Sequence, residues 1–359
     1  MALKIAVYTI ALNELAHCER WANSVADADY RIVLDTGSTD GTVEKLEELG
    51  VTVYKQKIDP WRFDVARNSA LTLIPLDADV CISMDMDEFM AEGYREKIEK
   101  VWTPTSTRIA YTYVFDYKPE GPNTGFYSDK IHAREGYEWL RPVHETIYAT
   151  KGKKEVIASA LDIVMNQIQD RTKPTRNNYL PLLKLAHDED REDSQIAFWY
   201  GRELMSKGDN TEAATILHRY LSMPTARWNA ERSEALIYLS KIEPIRAWEH
   251  LLQASNTAPD RREVWLEIAN YCYSRQDWVN LLWACLNGLQ KSKDHGSYLD
   301  RPESWGPQLS DLGSLAAYHL TWNDKAVDLA EDALTLAPND VRIKQNLTFM
   351  RNARKSKVC

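Results

Sequence analysis

In Val80-Cys81-Ile82-Ser83-Met84-Asp85-Met86-Asp87-Glu88 an apolar run ends in two aspartates separated by one residue. The apolar part has the length and bounding of a buried strand. Side chains alternate along a strand, which would send Asp85 and Asp87 to the same side of its end. Carboxylates are poor strand formers, and like charges this close repel. A hard divalent cation with oxygen ligands removes the conflict and keeps open positions for phosphate oxygens. The pattern points to a metal–diphosphate site at a strand end.

Upstream, strand and helix alternate. Lys4 to Ala11 is a strand-like run, followed by a helical stripe at Leu15, Cys18, Trp21 and Val25. Arg31 to Leu34 predicts a second strand, ending at Asp35. Asp35-Thr36-Gly37-Ser38-Thr39-Asp40-Gly41-Thr42 is turn and cap chemistry. Val43, Leu46 and Leu49 form a second helical stripe, with Gly50 as its stop. Val51 to Tyr54 is a third strand. Phe63, Ala66, Ala70 and Ile74 mark a helix that must end near Pro75. Successive units of this kind predict a parallel sheet with helices on both faces. Beyond Asp87, Arg108 to Asp116 reads as a long strand and Gly121 to Gly125 as a loop. Short strand-like pieces then run from Phe126 to Met165.

From about Asn178 the pattern is helical and repetitive. Small or apolar residues recur at Ala213, Ala247, Leu281 and Ala326, with gaps of 34, 34 and 45 residues. The extra 11 residues of the last gap fall in the polar stretch Ser292 to Pro307. Seven positions after each anchor stand Tyr220, Ala254, Gly288 and Ala333. Twelve before the first three stand Gly201, Ala235 and Ala269. Small residues there let paired helices approach closely, and a 34-residue helix–turn–helix period resembles tetratricopeptide repeats. Val341 to Arg354 is a capping helix on this reading.

Four segments together carry a family resemblance: Val7-Tyr8-Thr9-Ile10-Ala11-Leu12-Asn13-Glu14, Asp35 through Thr42, Asp64-Val65-Ala66-Arg67-Asn68, and Asp85-Met86-Asp87-Glu88. In order and spacing they resemble family 2 glycosyltransferases of the GT-A fold. Val143-His144-Glu145 and the repeats resemble the subgroup with C-terminal tetratricopeptide repeats. The resemblance implies an α/β, Rossmann-like GT-A domain over residues 1–170 and an all-α tetratricopeptide-like domain over 171–359. It implies transfer of a hexose, glucose or galactose, from a UDP-sugar with inversion. The acceptor would be a glycan, a lipid-linked sugar or a protein. Thr9, Ala11 and Glu14 would lie near uracil, and Asp35 would accept its N3–H. Arg67 would meet the diphosphate, which its planar fork suits. Met86 would lie in the donor site, and Asp85 at the ribose and the metal. Asp87 would contact the metal directly, with Glu88 orienting the pair. His144 would add a nitrogen ligand, favouring Mn²⁺ (or Mg²⁺) as the ion; His132 is a lesser candidate. An inverting transfer needs a carboxylate base: Glu145 first, Asp116 second, Asp129 third. Trp139 is the aromatic residue expected near the acceptor. The subgroup has a histidine soon after its last catalytic-domain strand, where this chain reads Val164-Met165-Asn166-Gln167.

Bulk properties agree with such a protein. The chain has 359 residues, 44% hydrophobic and 27% charged, enough for two or three cored domains. A net charge of −9 argues against sequence-blind nucleic-acid binding. Five scattered cysteines fit a reducing, cytoplasmic compartment better than a disulfide framework. The apolar stretch Ala2 to Leu12 reads as a first strand, not a leader, and no window reaches membrane-span length. The repeats offer a surface for homo-oligomers. Three rivals fit less well: a sugar-nucleotide pyrophosphorylase, for which a Gly-rich basic N-terminal loop is missing; a non-catalytic scaffold; and a retaining enzyme.

Overall fold

A computed structural model of the chain describes residues 3–120, 123, 125–168, 179–291 and 297–355. Internal contacts divide it into two units, Met1–Ala186 and His187–Cys359. The expected boundary at residue 170 and part of the expected loop at 121–125 lie outside the described residues.

In the first unit β1 (Ile5–Ala11), α1 (Cys18–Ser24), β2 (Tyr30–Asp35), α2 (Thr42–Glu48), β3 (Thr52–Lys55), α3 (Phe63–Thr72) and β4 (Val80–Ser83) follow in turn. Next come β5 (Glu88–Met90), α4 (Tyr94–Val101), β6 (Arg108–Val114), β7 (Gly125–Ala133), β8 (Tyr137–Leu140), β9 (Thr146–Ala149) and β10 (Ile157–Gln167). One mixed sheet has the order β3-β2-β1-β4-β7-β6-β10-β5, and β8 pairs with β9 alone. The first four strands are parallel, as the alternating units predict. The sheet does not stay parallel, because β7 joins β4 and β6 antiparallel. β8 and β9 are short pieces of four residues, as expected, but β7 and β10 are longer, with 9 and 11 residues. Register shifts at Ile109/Tyr111 and Ser159/Val164 break the apolar alternation that would have revealed their length.

Apolar residues fill both faces. Ile5, Val7 and Ala11 of β1 join Trp21 of α1, Leu46 of α2 and Ile98 of α4 in one core. Ala6 and Tyr8 join Ala70 of α3 with Trp139 and Ile147 of the small sheet in the other. Trp21 is fully buried, and its indole N–H donates to the Met84 carbonyl at 2.9 Å. Burying such a side chain stabilises by about 1.5–3 kcal/mol, and here it also pins the end of β4.

The second unit is helical, and α5 (Leu180–Glu189) spans the division. Helices α6 (Ser194–Ser206), α7 (Asn210–Ser222), α8 (Asn229–Ile242), α9 (Ala247–Thr257), α10 (Arg262–Ser274) and α11 (Trp278–Leu289) follow. They are succeeded by α12 (Gln308–His319), α13 (Asn323–Leu336) and α14 (Val341–Lys355). Neighbouring helices pack on one another, α6 on α7, α8 on α9, α10 on α11, α11 on α12 and α12 on α13, with α14 on α13 as the expected cap. The anchors Ala213, Ala247, Leu281 and Ala326 are all buried in the second helix of a pair. Close approach explains the small residues. A Cβ on Gly201 would stand 2.8 Å from Leu217, and one on Gly288 2.9 Å from the Trp265 Cβ. Among the described residues, no helix is long and apolar enough to cross a membrane.

Candidate functional site

Strand order reverses at β1: β2 and β3 lie on one side, β4 on the other. Ligands of open α/β sheets bind outside the carboxyl ends of the strands at such a point. Ala11, Asp35 and Asp85 lie at or just beyond these ends.

At the β1 and β2 ends, Ala11 and Asp35 stand in register. The loops beyond them are tied together. Thr36 donates to the Ala11 carbonyl through both N–H, at 2.9 Å, and hydroxyl, at 3.0 Å. Asn13 N–H donates to Ser38 Oγ at 2.8 Å, and Glu14 N–H to Thr42 Oγ1 at 2.7 Å. Asp35 is 3% exposed, and its Oδ1 accepts from the N–H groups of Gly37 and Ser38, each at 3.0 Å. Gly37 has φ +127°, a conformation open to glycine. The other carboxylate oxygen, Asp35 Oδ2, is buried without a hydrogen-bond partner. An acceptor oxygen left so is costly unless a ligand donor completes it. Thr9 is also buried, and its hydroxyl turns to the neighbouring Ile10 carbonyl at 3.3 Å.

The acid pair is in a turn. β4 stops at Ser83 and β5 begins at Glu88, with the Glu88 N–H donating to the Asp85 carbonyl at 2.9 Å. Strand alternation therefore does not set the directions of Asp85 and Asp87, and their partners differ. Asp85 Oδ1 lies 2.8 Å from Arg67 Nη1, and Oδ2 lies 3.7 Å from Lys130 Nζ. Asp87 Oδ2 accepts from Gln167 Nε2 at 2.9 Å. Gln167 thus occupies, at the end of β10, the neighbourhood where the resemblance implies a histidine. Met86 is buried in the sheet core, so only its backbone is available to a ligand.

Buried Glu88 organises the turn. Its Oε2 accepts from the Asp85 N–H at 2.7 Å. Its Oε1 accepts from Tyr113 Oη at 2.7 Å and from Lys130 Nζ at 3.3 Å. Burial pushes the Glu88 pKa up despite Lys130. Burial acts in the same direction on Asp85, but Arg67 and then Lys130 overturn it and hold that carboxyl well below its ordinary value. Lys130, on β7, is the residue that sequence reasoning missed. Burial would lower its pKa, yet Glu88 and Asp85 raise it, so it stays charged.

Arg67, on α3, is the hub. Its Nε donates to Glu145 Oε1 at 2.5 Å, and its guanidinium lies 4.9 Å from the Trp139 ring centroid. Asp64, three residues back, pairs with Arg62 instead, at 2.8 Å. Trp139 is 1% exposed, with its indole N–H on Tyr8 Oη at 2.9 Å. Its ring packs the small sheet onto α3 and offers no open face to a ligand. His132 is buried on Tyr8 Oη at 3.0 Å, and burial pushes its pKa down to about 3, so it serves the core as neutral imidazole.

His144 follows buried Val143 with a left-handed φ of +50°, and its ring lies 5.8 Å from that of Tyr179. Asp85, Asp87 and His144 do not bring three ligand atoms within 4.8 Å of one another. Asp116, just beyond β6, has φ +52° and lies 3.8 Å from Lys118 Nζ. Asp129 is held by Arg108 at 2.7 Å.

Four carboxylates (Asp85, Asp87, Glu88, Glu145) therefore face three cations, Arg67, Lys130 and Arg20, the last through its field at Asp87. A further anion joining this cluster needs added positive charge.

No protein-family model matches the chain. An uncharacterized glycosyltransferase of Rickettsia bellii (strain RML369-C) is 36% identical over 100 residues, 28% of this chain. The chain spans about a third of the length of the curated relatives it matches, 33% and 34%. Among solved structures, S. aureus TarS aligns with a TM-score of 0.40 at 12% identity, over 70% of this chain and 55% of that one. A thermophilic TPR protein of Thermus thermophilus aligns with a TM-score of 0.32 at 15% identity, over 49% of this chain and 91% of that one.

Proposed function

We propose that the chain is a glycosyltransferase that uses a UDP-hexose donor, glucose or galactose, and a divalent cation. The reading adopts the GT-A and family 2 assignment of the first unit and, with it, inversion at the anomeric carbon. One observation carries it. A buried, unpartnered carboxylate oxygen at the end of β2 lies along the same edge of the sheet as the acid turn after β4. The name of the Rickettsia relative supports the reaction class.

Donor chemistry fits a cation at the turn. Asp85 Oδ2 is only loosely engaged, 3.7 Å from Lys130, and Asp87 Oδ2 accepts from Gln167. A carboxylate has about four lone-pair sites, so Asp85 keeps capacity for a hard ion such as Mn²⁺ or Mg²⁺, and Asp87 is the second oxygen ligand of the proposal. His144 is the proposed nitrogen ligand, and it would have to move toward the turn to join both acids on one ion. Bound there, the ion would supply positive charge to the diphosphate of the leaving nucleotide.

The protein's own groups do the rest. Asp35 accepts the uracil N3–H. Thr9, Ala11 and Glu14 shape the base pocket. Arg67 and Lys130 hold Asp85 ionised and give the phosphates fixed positive charge that needs no reorganisation. Gln167 orients Asp87. Glu145 takes the proton of the acceptor hydroxyl, with Asp116 as the competing base.

A panel of UDP-sugars with Mn²⁺, scored by sugar hydrolysis and by protection against melting, tests the reading. Turnover and protection by one UDP-hexose are expected, and both should vanish in Asp87→Ala. Full activity of that variant with Mn²⁺ would exclude the turn as the site.

A further inference from the structure

The helical unit carries a cluster of its own. His218 stands on α7, Glu243 closes α8, and His250 lies on α9. His218 Nε2 is 3.1 Å from each oxygen of Glu243, and His250 Nε2 is 2.6 Å from Oε2. The two rings stand 5.8 Å apart between centroids at 50°. One ligand atom from each residue falls within 4.8 Å of the others, and among the described residues no other trio of His, Cys, Asp or Glu does so.

A simple ion pair needs one imidazole; here two, from different helices, bring the same ring nitrogen to one carboxylate. His250 is 1% exposed, while His218 and Glu243 are half-buried, so the cluster has a closed back and a wet front. His250 Nδ1 is buried without a partner. The Glu243 carboxylate can only accept, so without an ion the Nε2 nearest it carries the ring proton; a bound metal would take the Nε2 lone pair in place of that proton.

We propose that His218, Glu243 and His250 bind a borderline transition-metal ion, Zn²⁺ above all, with water completing the coordination. Two imidazoles and one carboxylate form a recognised zinc donor set. Nitrogen ligands favour Zn²⁺, Co²⁺ or Ni²⁺ over Mg²⁺ and Ca²⁺. The ion would cross-link α7 to α8 and α9, so that successive helix pairs share a fastener. The proposal is independent of the transfer reaction.

The test uses the full chain, with any affinity tag removed, stripped by chelator and titrated with Co²⁺ and then Zn²⁺. About one Co²⁺ per chain should produce visible ligand-field bands, bleached by Zn²⁺. His218→Ala, on the solvent side, should weaken binding about 10-fold or more, with an unchanged far-UV spectrum. Glu243→Gln, which keeps side-chain volume, should do the same if His218→Ala fails to fold. Asp87→Ala should leave the bands intact, which separates this ion from one at the acid turn. Absence of stoichiometric bands, or bands kept in the cluster variants and lost in Asp87→Ala, would overturn the proposal.

Discussion

Arg67 Nη1 lies 2.8 Å from Asp85 Oδ1, so the third helix grips the first acid of the turn. The same guanidinium reaches Glu145 with Nε. Removing it strands two carboxylates in a largely buried place. Loss of one partner of a buried pair costs about 3–5 kcal/mol. Arg67→Ala should lower stability on that scale in urea unfolding. Arg67→Lys keeps the charge but not the fork that serves two acids at once, so it should recover only part. A wild-type midpoint for Arg67→Ala would mean that the pairing contributes nothing.

Asp35 offers a discriminating experiment. Its Oδ2 is buried and unpartnered. Uracil presents an N–H at N3, whereas cytosine presents a lone pair there. Wild type should bind UDP well above CDP by calorimetry. Asp35→Asn can place a donor at that position and should weaken UDP binding about 10- to 100-fold, the cost of leaving a polar pair unmatched, while narrowing the gap to CDP. Equal binding of UDP and CDP by wild type would remove Asp35 from the base pocket.

Local pattern carried part of this site and could not carry the rest. Asp35 and Asp85 were legible because each follows an apolar run and begins turn chemistry. Lys130 was not, because its partners Asp85 and Glu88 are more than 40 positions away and meet it only when β7 inserts beside β4. Its strand, Gly125–Ala133, also lacks clean alternation. Arg67 shows the reverse. Its near neighbour Asp64 pairs with Arg62, and long-range packing gives the arginine to Asp85 and Glu145. Trp139 is ambiguous in the sequence because core packing and ligand contact call for the same residue type; the structure buries its ring. The helical repeats were readable from a 34-residue period of small or apolar residues, since helix contact admits little else at Gly201 and Gly288.

Acid stability should follow Asp85. Its folded pKa is depressed by Arg67 and Lys130 against the opposing effect of burial. A depressed carboxyl contributes stability that is present above its unfolded pKa, about 4, and is lost as pH falls through the folded value. The gap in unfolding free energy between wild type and Asp85→Asn should therefore be widest near neutrality and shrink as pH drops below about 4. Glu88 acts oppositely, because burial raises its pKa. Its contribution is full below its unfolded pKa and is lost as pH rises through the folded value. A gap for Asp85→Asn that stays constant from neutral to strongly acid pH would deny the clamp.

Gly288 tests the repeat packing. A Cβ there would meet Leu309 Cδ1 at 2.7 Å and Trp265 Cβ at 2.9 Å. The leucine tip can turn aside, but the tryptophan Cβ is fixed to its helix. Alanine gains about 1 kcal/mol of helix propensity over glycine, and overpacking costs about 1–3 kcal/mol. Gly288→Ala should therefore be neutral to destabilising by thermal melting, and Gly288→Val clearly destabilising. A stabilised Gly288→Val would show that α11 is not held closely against α10 and α12.

The base is decided by a pair of isosteric variants. Glu145 sits on Arg67 within the charged cluster, while Asp116 stands at the end of β6 near Lys118. Glu145→Gln keeps a carbonyl oxygen for the Arg67 N–H but cannot take a proton. If Glu145 is the base, kcat should fall about 10²- to 10⁴-fold, UDP binding should persist, and the acidic limb of the pH–rate profile should disappear. Asp116→Asn should then retain most of kcat. Were Glu145 only an orienting partner for Arg67, the amide would preserve that contact, the acidic limb would survive, and Asp116→Asn would show the collapse instead. Measuring both limbs in both variants separates an acid that moves a proton from one that holds an arginine.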